Sequence, residues 1–192
     1  MGEQQDFLKR LVERLDEAGV PYVVAGSLSS SLHGRPRATN DIDFVIAPTE
    51  TQFRHLLDSL GPDYYVSQDA AWAALKRRTV FNIIDLKTGW KADLYVQGTL
   101  PFNMAEFDRR RKAAILGLEV WVLSPEDVIL SKLEWAKESM SERQMQDVLG
   151  VLQMRRGSLD EEYLRKWARE LGVEDMLTRL LQEAKTRAEG AG

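Results

Sequence analysis

The chain has no cysteine and only two histidines among 192 residues. Without cysteine there is no disulfide, no thiolate nucleophile and no thiolate metal site, and two scattered imidazoles do not make a zinc centre. Any metal must be held mainly by oxygen. No long uncharged apolar run offers a membrane span, and the N-terminal MGEQQDFLKR lacks the basic flank and apolar stretch of a secretory signal. The expectation is a cytoplasmic protein with no membrane partner. Positive charge is not in excess either: a net charge of -4 gives no general attraction for nucleic acid and leaves only local patches to provide one. A lysine-bearing phosphate loop, a dinucleotide glycine fingerprint and a long internal repeat are all missing, which removes the kinase and solenoid readings.

What remains is an ordinary globular composition, 44% apolar and 29% charged, on a chain long enough for a compact unit with a helical tail. Leu8, Leu11, Leu15 and Ala18 fall at helical spacing, and Gly19 is placed to end that helix. PYVVAG then reads as a short buried strand turning at Gly26 and Ser27, where backbone can approach a ligand, before a helix begins near Leu28. IDFVI forms a second strand. Thr49 and Gln52 make a capping box for a helix ending at Gly61, and DAAWAALKRR predicts a short helix with Trp72 facing the core. RRTVFNIIDLKTGWKADLYV reads as a hairpin with strands over 79–85 and 90–96, and AILGLEVWVLS adds another strand. Helices starting at Ser124–Asp127, at Ser141 with Gln144, and at Ser158 with Glu161 follow, and a final helix in EDMLTRLLQEAKTRAEGAG becomes a frayed polar end. Their Leu, Met and Trp stripes suit a bundle core, and an apolar stripe also suits a second subunit in a homodimer.

Against this background two acids stand where a strand favours Val or Ile. Strand side chains repeat with period two, so Asp41 and Asp43 share one side while Ile42 and Phe44 share the other. Taken alone, such a pair also fits a solvated strand end. A third acid, Asp93, interrupts the second hairpin strand between Ala92 and Leu94, where it needs water, a partner or a metal. With thiolates absent, Mg2+ or Mn2+ held by Asp41, Asp43 and Asp93 is the expected occupant. Asp85, at the end of its strand, reads as surface or turn chemistry. Lys91 shares the face of Asp93 and is placed to balance its charge. In GRPRATN, Arg35 and Arg37 precede the acid pair, and Arg37 is a candidate phosphate contact through its planar donor fork. His33 reads as structural, and Thr39 as bonded within its own loop.

The order AGS, thirteen residues from Leu28 to Asn40, DIDF, and later the strand acid of ADLYV resembles the nucleotidyltransferase superfamily with the polymerase-beta type core. Within it, the chain resembles in particular the small bacterial and archaeal proteins grouped as minimal or AbiEii-like nucleotidyltransferases. The resemblance spans roughly residues 5–125 and implies an α/β (α+β) fold, a mixed sheet flanked by helices over 1–123, followed by a C-terminal helical region over 124–192. It also implies transfer of a nucleoside monophosphate from a nucleoside triphosphate to a hydroxyl. Asp41, Asp43 and Asp93 would be the catalytic metal ligands, and Gly26 with Ser27 would open the nucleotide site. Lys132, in the helix after the core, would bind triphosphate, and Asp147 resembles an acid of the accessory helix, although an isolated helix aspartate is usually on the surface. Acceptors implied by the family are tRNA or another RNA, a partner protein, or a small hydroxylated molecule. Bacterial versions often belong to toxin-antitoxin pairs, so a cognate antitoxin is an expected partner. A noncatalytic nucleotide- or nucleic-acid-binding protein on the same scaffold is the alternative. KRR at 76–78 and DRRRK at 108–112 are positive patches that favour RNA if they line the groove and otherwise face water.

Overall fold

Alternation of apolar and polar positions gives the central strands two chemically distinct faces. In the computed structural model, which describes residues 2–139 and 141–189, the first half of the chain runs α1 (Glu3–Glu17), β1 (Tyr22–Val24), α2 (Gly26–His33), β2 (Asp41–Ile46), α3 (Glu50–Ser59), β3 (Tyr64–Tyr65) and α4 (Gln68–Arg77). It continues through β4 (Val80–Asp85), β5 (Lys91–Val96), α5 (Pro101–Asp108), β6 (Arg111–Ile115) and β7 (Leu118–Val122). Helices α6 (Pro125–Ser139), α7 (Glu142–Met154), α8 (Glu161–Glu170) and α9 (Glu174–Glu189) complete it. Two compact units result: Met1–Ala25 with Thr39–Val122, and Gly26–Ala38 with Leu123–Gly192.

The first unit is a seven-stranded mixed sheet in the order β3-β4-β5-β2-β1-β7-β6. Only the β2–β5 and β1–β7 pairs are parallel. Ile42, Phe44 and Ile46 of β2 and Ala92, Leu94 and Val96 of β5 are buried on one face. Each of the larger side chains in this set contributes roughly 2 kcal/mol by leaving water. Phe53 of α3 stands edge-on to Phe81 at 5.4 Å and to Trp72 at 5.1 Å. The capping box of α3 forms as the sequence requires: Thr49 Oγ1 accepts from the Gln52 amide, and Gln52 Oε1 accepts from the Thr49 amide. Trp72 is only half-buried, because Ala71 and Ala74 are the residues of α4 that face inward.

Two readings of this unit are corrected. AILGLEVWVLS belongs to a hairpin, β6 and β7, that turns at Leu116 and Gly117, both with positive φ. A leucine in a left-handed turn position carries no composition signal, so the turn was not legible. Asp85 makes the expected turn bond by accepting the Lys87 amide, but it is not on the surface: it is buried at 2% exposure and paired with Arg10 of α1. Burial alone would raise its pKa, but the backbone donors and the Arg10 charge hold it below the usual carboxylate range. The DRRRK patch runs from the end of α5 through Arg109 and Arg110 into the start of β6, the edge strand three strands from β2. There Arg110 lies over the rings of Phe107 and Trp121, Lys112 pairs with Glu119, and the exposed charges discourage edge-to-edge pairing.

The second unit packs α2 on α6 and α7, with α8 and α9 completing a helical cluster. Close approach requires glycine at one crossing: a Cβ on Gly34 would lie 2.8 Å from the Val151 amide nitrogen. His33 is structural, as read from sequence. Arg155 can only donate, so it binds Nδ1, and Nε2 carries the proton toward the Leu123 carbonyl at 2.8 Å. Ser124 caps α6 through the Asp127 amide. The other two caps differ from expectation. Ser141 precedes α7 without a side-chain cap bond, the Gln144 side chain accepts from Lys132, and α8 is capped by Asp160 two residues after Ser158. The polar end after Glu189 lies outside the described residues.

Candidate functional site

The candidate residues fall into two groups, one in each unit. In the first, parallel pairing of β2 with β5 sets Asp41 opposite Lys91 and Asp43 opposite Asp93. Adjacent strands lie about 4.8 Å apart, so the carboxylates of neighbouring positions share one side of the sheet. Asp41, Asp43, Lys91, Asp93 and Tyr95 all occupy the half-buried positions that alternate with the buried ones, opposite the apolar core face. β4 adds Asn82, which pairs with Asp93 in antiparallel register.

The electrostatics of this face are those of concentrated negative charge with one internal cation. Lys91 Nζ donates to Asp93 Oδ2 at 2.6 Å, and Asn82 Nδ2 donates to Asp93 Oδ1 at 3.2 Å. Thr39 Oγ1 donates to Asp41 Oδ1 at 2.7 Å. The Lys91 pKa is raised, first by its hydrogen bond to Asp93 and then by the charges of Asp93, Asp41 and Asp43. Tyr95 is pushed up to about 12, by burial first and then by the same three carboxylates. One lysine and one phenol thus respond to all three acids. The set of hard oxygen donors suits Mg2+ or Mn2+. Among the described residues no three carboxylate or imidazole groups are arranged to hold a metal ion, and both oxygens of Asp93 already have protein donors.

In the second unit Gly26 has φ +54, a left-handed conformation that glycine adopts without strain, at the start of α2. Ser27 Oγ accepts from Arg37 Nη2 at 2.5 Å. Arg37 also grips both oxygens of Asp147, at 2.9 and 3.0 Å, while Lys132 approaches Asp147 at 2.8 Å and Gln144 at 2.8 Å. The Asp147 side chain is only 7% exposed. Asp147 is therefore not the surface residue that its isolation in a helix implied. Burial would raise its pKa, but the hydrogen bonds from Arg37 and Lys132, with their charges, hold it low. Ser27, Arg37 and Lys132 are brought together around a carboxylate. Asn82 was missed, because only strand register puts it beside Asp93; Tyr95 was legible two residues on from it.

Residues 4–185 match the family described as nucleotidyltransferase of unknown function (DUF6036). The chain belongs to that family. No curated protein matches it. Among solved structures, ANT(2'')-Ia in complex with adenylyl-2''-tobramycin is similar with a TM-score of 0.60 and 16% identity, over 88% of this chain and 97% of that one. An antigenic nucleotidyltransferase-like protein from Paracoccidioides brasiliensis is similar with a TM-score of 0.58 and 18% identity, over 94% and 92% of the two chains. The lincomycin-bound lincosamide antibiotic adenylyltransferase LnuA is similar at 0.50 and 13% identity, over 79% and 96%. At these identities the likeness is one of fold alone. No helix among the described residues is long and apolar enough to cross a membrane.

Proposed function

We propose that the chain transfers a nucleoside monophosphate from a nucleoside triphosphate to an acceptor hydroxyl, releasing pyrophosphate. The observation that carries this reading is the register of β2 and β5, which puts Asp41, Asp43 and Asp93 on one face in a member of a nucleotidyltransferase family. Asp41 and Asp43 are assigned as ligands of Mg2+ or Mn2+, with Asp93 completing the set. A bound divalent ion would supply charge neutralisation for the triphosphate and acidify the attacking hydroxyl. Carboxylates fixed in direction by strand backbone are the contribution of the chain itself, because preorganised groups need no reorganisation during transfer. Asp93 is also assigned to orient the attacking hydroxyl. Gly26, Ser27, Arg37 and Lys132 are assigned to the triphosphate tail: glycine admits backbone amides to phosphate, the serine hydroxyl donates, and the two cations offset its charge.

The acceptor class best supported is a small hydroxylated molecule, since the similar folds include ANT(2'')-Ia with adenylyl-2''-tobramycin and a lincosamide adenylyltransferase. RNA, a partner protein and a toxin-antitoxin role of the AbiEii-like kind are the further acceptor and partner classes to be screened. One observation favours a second reading, a noncatalytic nucleotide-binding protein: both Asp93 oxygens are engaged by Lys91 and Asn82.

The test is a screen of labelled nucleoside triphosphates against small-molecule extracts, total RNA and protein fractions, using wild type and Asp93→Asn with matched circular dichroism. Metal-dependent labelling by wild type, lost in the variant, is expected. Tight nucleotide binding with no labelled product in any fraction transfers support to the noncatalytic reading.

A further inference from the structure

The acid face carries one basic residue whose position has no counterpart in a pure carboxylate site. Lys91 lies directly across from Asp41 in the β2–β5 register and, by the two-residue repeat, on the same face as Asp93. Its ammonium is 2.6 Å from Asp93 Oδ2, and the Asn82 amide takes the other oxygen. The Lys91 side chain keeps 39% of its surface exposed and that of Asp93 13%, so the pair is neither sealed in the core nor loose in solvent. A compact ammonium is a point charge with three donors on a flexible stem, which makes it a reasonable mimic of a hard cation among carboxylate oxygens.

We propose that Lys91 is the resident cation of the acid face: its ammonium holds at Asp93 the place of one divalent ion, so the face takes a single metal where an unneutralised trio of carboxylates would take two. This rests on the assignment of the acid face as a metal site, with Asp41 and Asp43 keeping the ion and Asp93 taking one only when the Lys91 charge is removed. The physical reason is charge balance. Like carboxylates on adjacent strands repel, and each cation added relieves less repulsion than the one before. With one positive charge already supplied by the chain, a first metal at Asp41 and Asp43 leaves little field to draw a second. Asn82 reinforces the arrangement, because its amide donates to the Asp93 oxygen that Lys91 leaves and keeps the carboxylate turned toward both side chains.

The measurement is a count of Mn2+ bound to the nucleotide-free full chain, by electron paramagnetic resonance of the free ion during titration. Wild type, Lys91→Met, Lys91→Gln and Lys91→Arg would be compared after circular dichroism has shown each to be folded. One Mn2+ is expected for wild type and for Lys91→Arg. A second ion is expected for Lys91→Met and Lys91→Gln, and it should disappear again when Asp93→Asn is added to either. Two ions in wild type, or one in every variant, overturn the role of Lys91 while leaving the metal assignment standing. No Mn2+ in wild type or in any variant defeats the metal assignment itself, and the inference with it.

Discussion

Among the described residues, two lysine–aspartate pairs are of nearly equal length, Lys91–Asp93 at 2.6 Å on the sheet and Lys132–Asp147 at 2.8 Å in the helical unit. Their surroundings differ. Lys132 and Asp147 are 6% and 7% exposed and share the carboxylate with the fork of Arg37, whereas Lys91 and Asp93 are 39% and 13% exposed on a face crowded with further acids. Distance alone therefore says little about what a pair does. A sealed pair cannot lose one member without leaving a charge in low dielectric, so Asp147 fixes where the Lys132 and Arg37 cations stand. A partly solvated pair among like charges stays open to solvent, so it suits a face that must receive a ligand beside it.

The comparison is broken most directly at Asp43, which belongs to the sheet group only. Asp43→Asn is expected to lower transfer about a thousandfold, roughly 4 kcal/mol in the transition state, with the melting temperature unchanged or raised because one like charge is gone. Measured together, rate and melting temperature separate chemistry from folding. A variant that loses stability in proportion to rate would place Asp43 with the structural group.

Asp147→Asn should do the reverse, costing about 3 kcal/mol in chemical denaturation by stranding Lys132. Its pH dependence sharpens the contrast. The folded pKa of Asp147 lies below the ordinary 3.8, so its contribution is complete above that value and is lost as pH falls toward the folded pKa. The stability gap between wild type and Asp147→Asn should hold steady at neutral pH and narrow only below about pH 4. A gap that narrows already near neutrality would show that the carboxylate is not held low.

Smaller effects test the two scaffolds. Gly34→Ala is expected to destabilise by about 2 kcal/mol, since the new Cβ meets the Val151 amide nitrogen at 2.8 Å and backbone must shift. Lys91→Met should change stability by less than about 1 kcal/mol, because its charge is partly solvated. A loss as large as that of Asp147→Asn would make the two pairs equivalent and remove the distinction drawn between them.

Much of the sheet group was legible in advance. Period-two spacing alone put Asp41 with Asp43 and Lys91 with Asp93, and β-branched and aromatic neighbours marked both strands. The capping box at Thr49 was legible for the same reason, since its partners are three residues apart. Asp85 and Asp147 were not. Arg10 lies 75 residues from Asp85, and Arg37 lies 110 residues from Asp147, so no local pattern connects them. The Leu116–Gly117 turn was hidden by a residue that seldom takes positive φ.

By itself the sequence determined β1, β2, β4, β5 and the amphipathic helices, and which side of β2 and β5 each acid occupies, because these follow from sterics and periodicity within a few residues. Only the tertiary structure decided which of those acids are sealed and which stay open to a ligand. A carboxylate's solvation and partners come from chain segments far away in sequence, and the same Asp can be a surface residue, a buried joint or a metal ligand until packing has placed those segments around it.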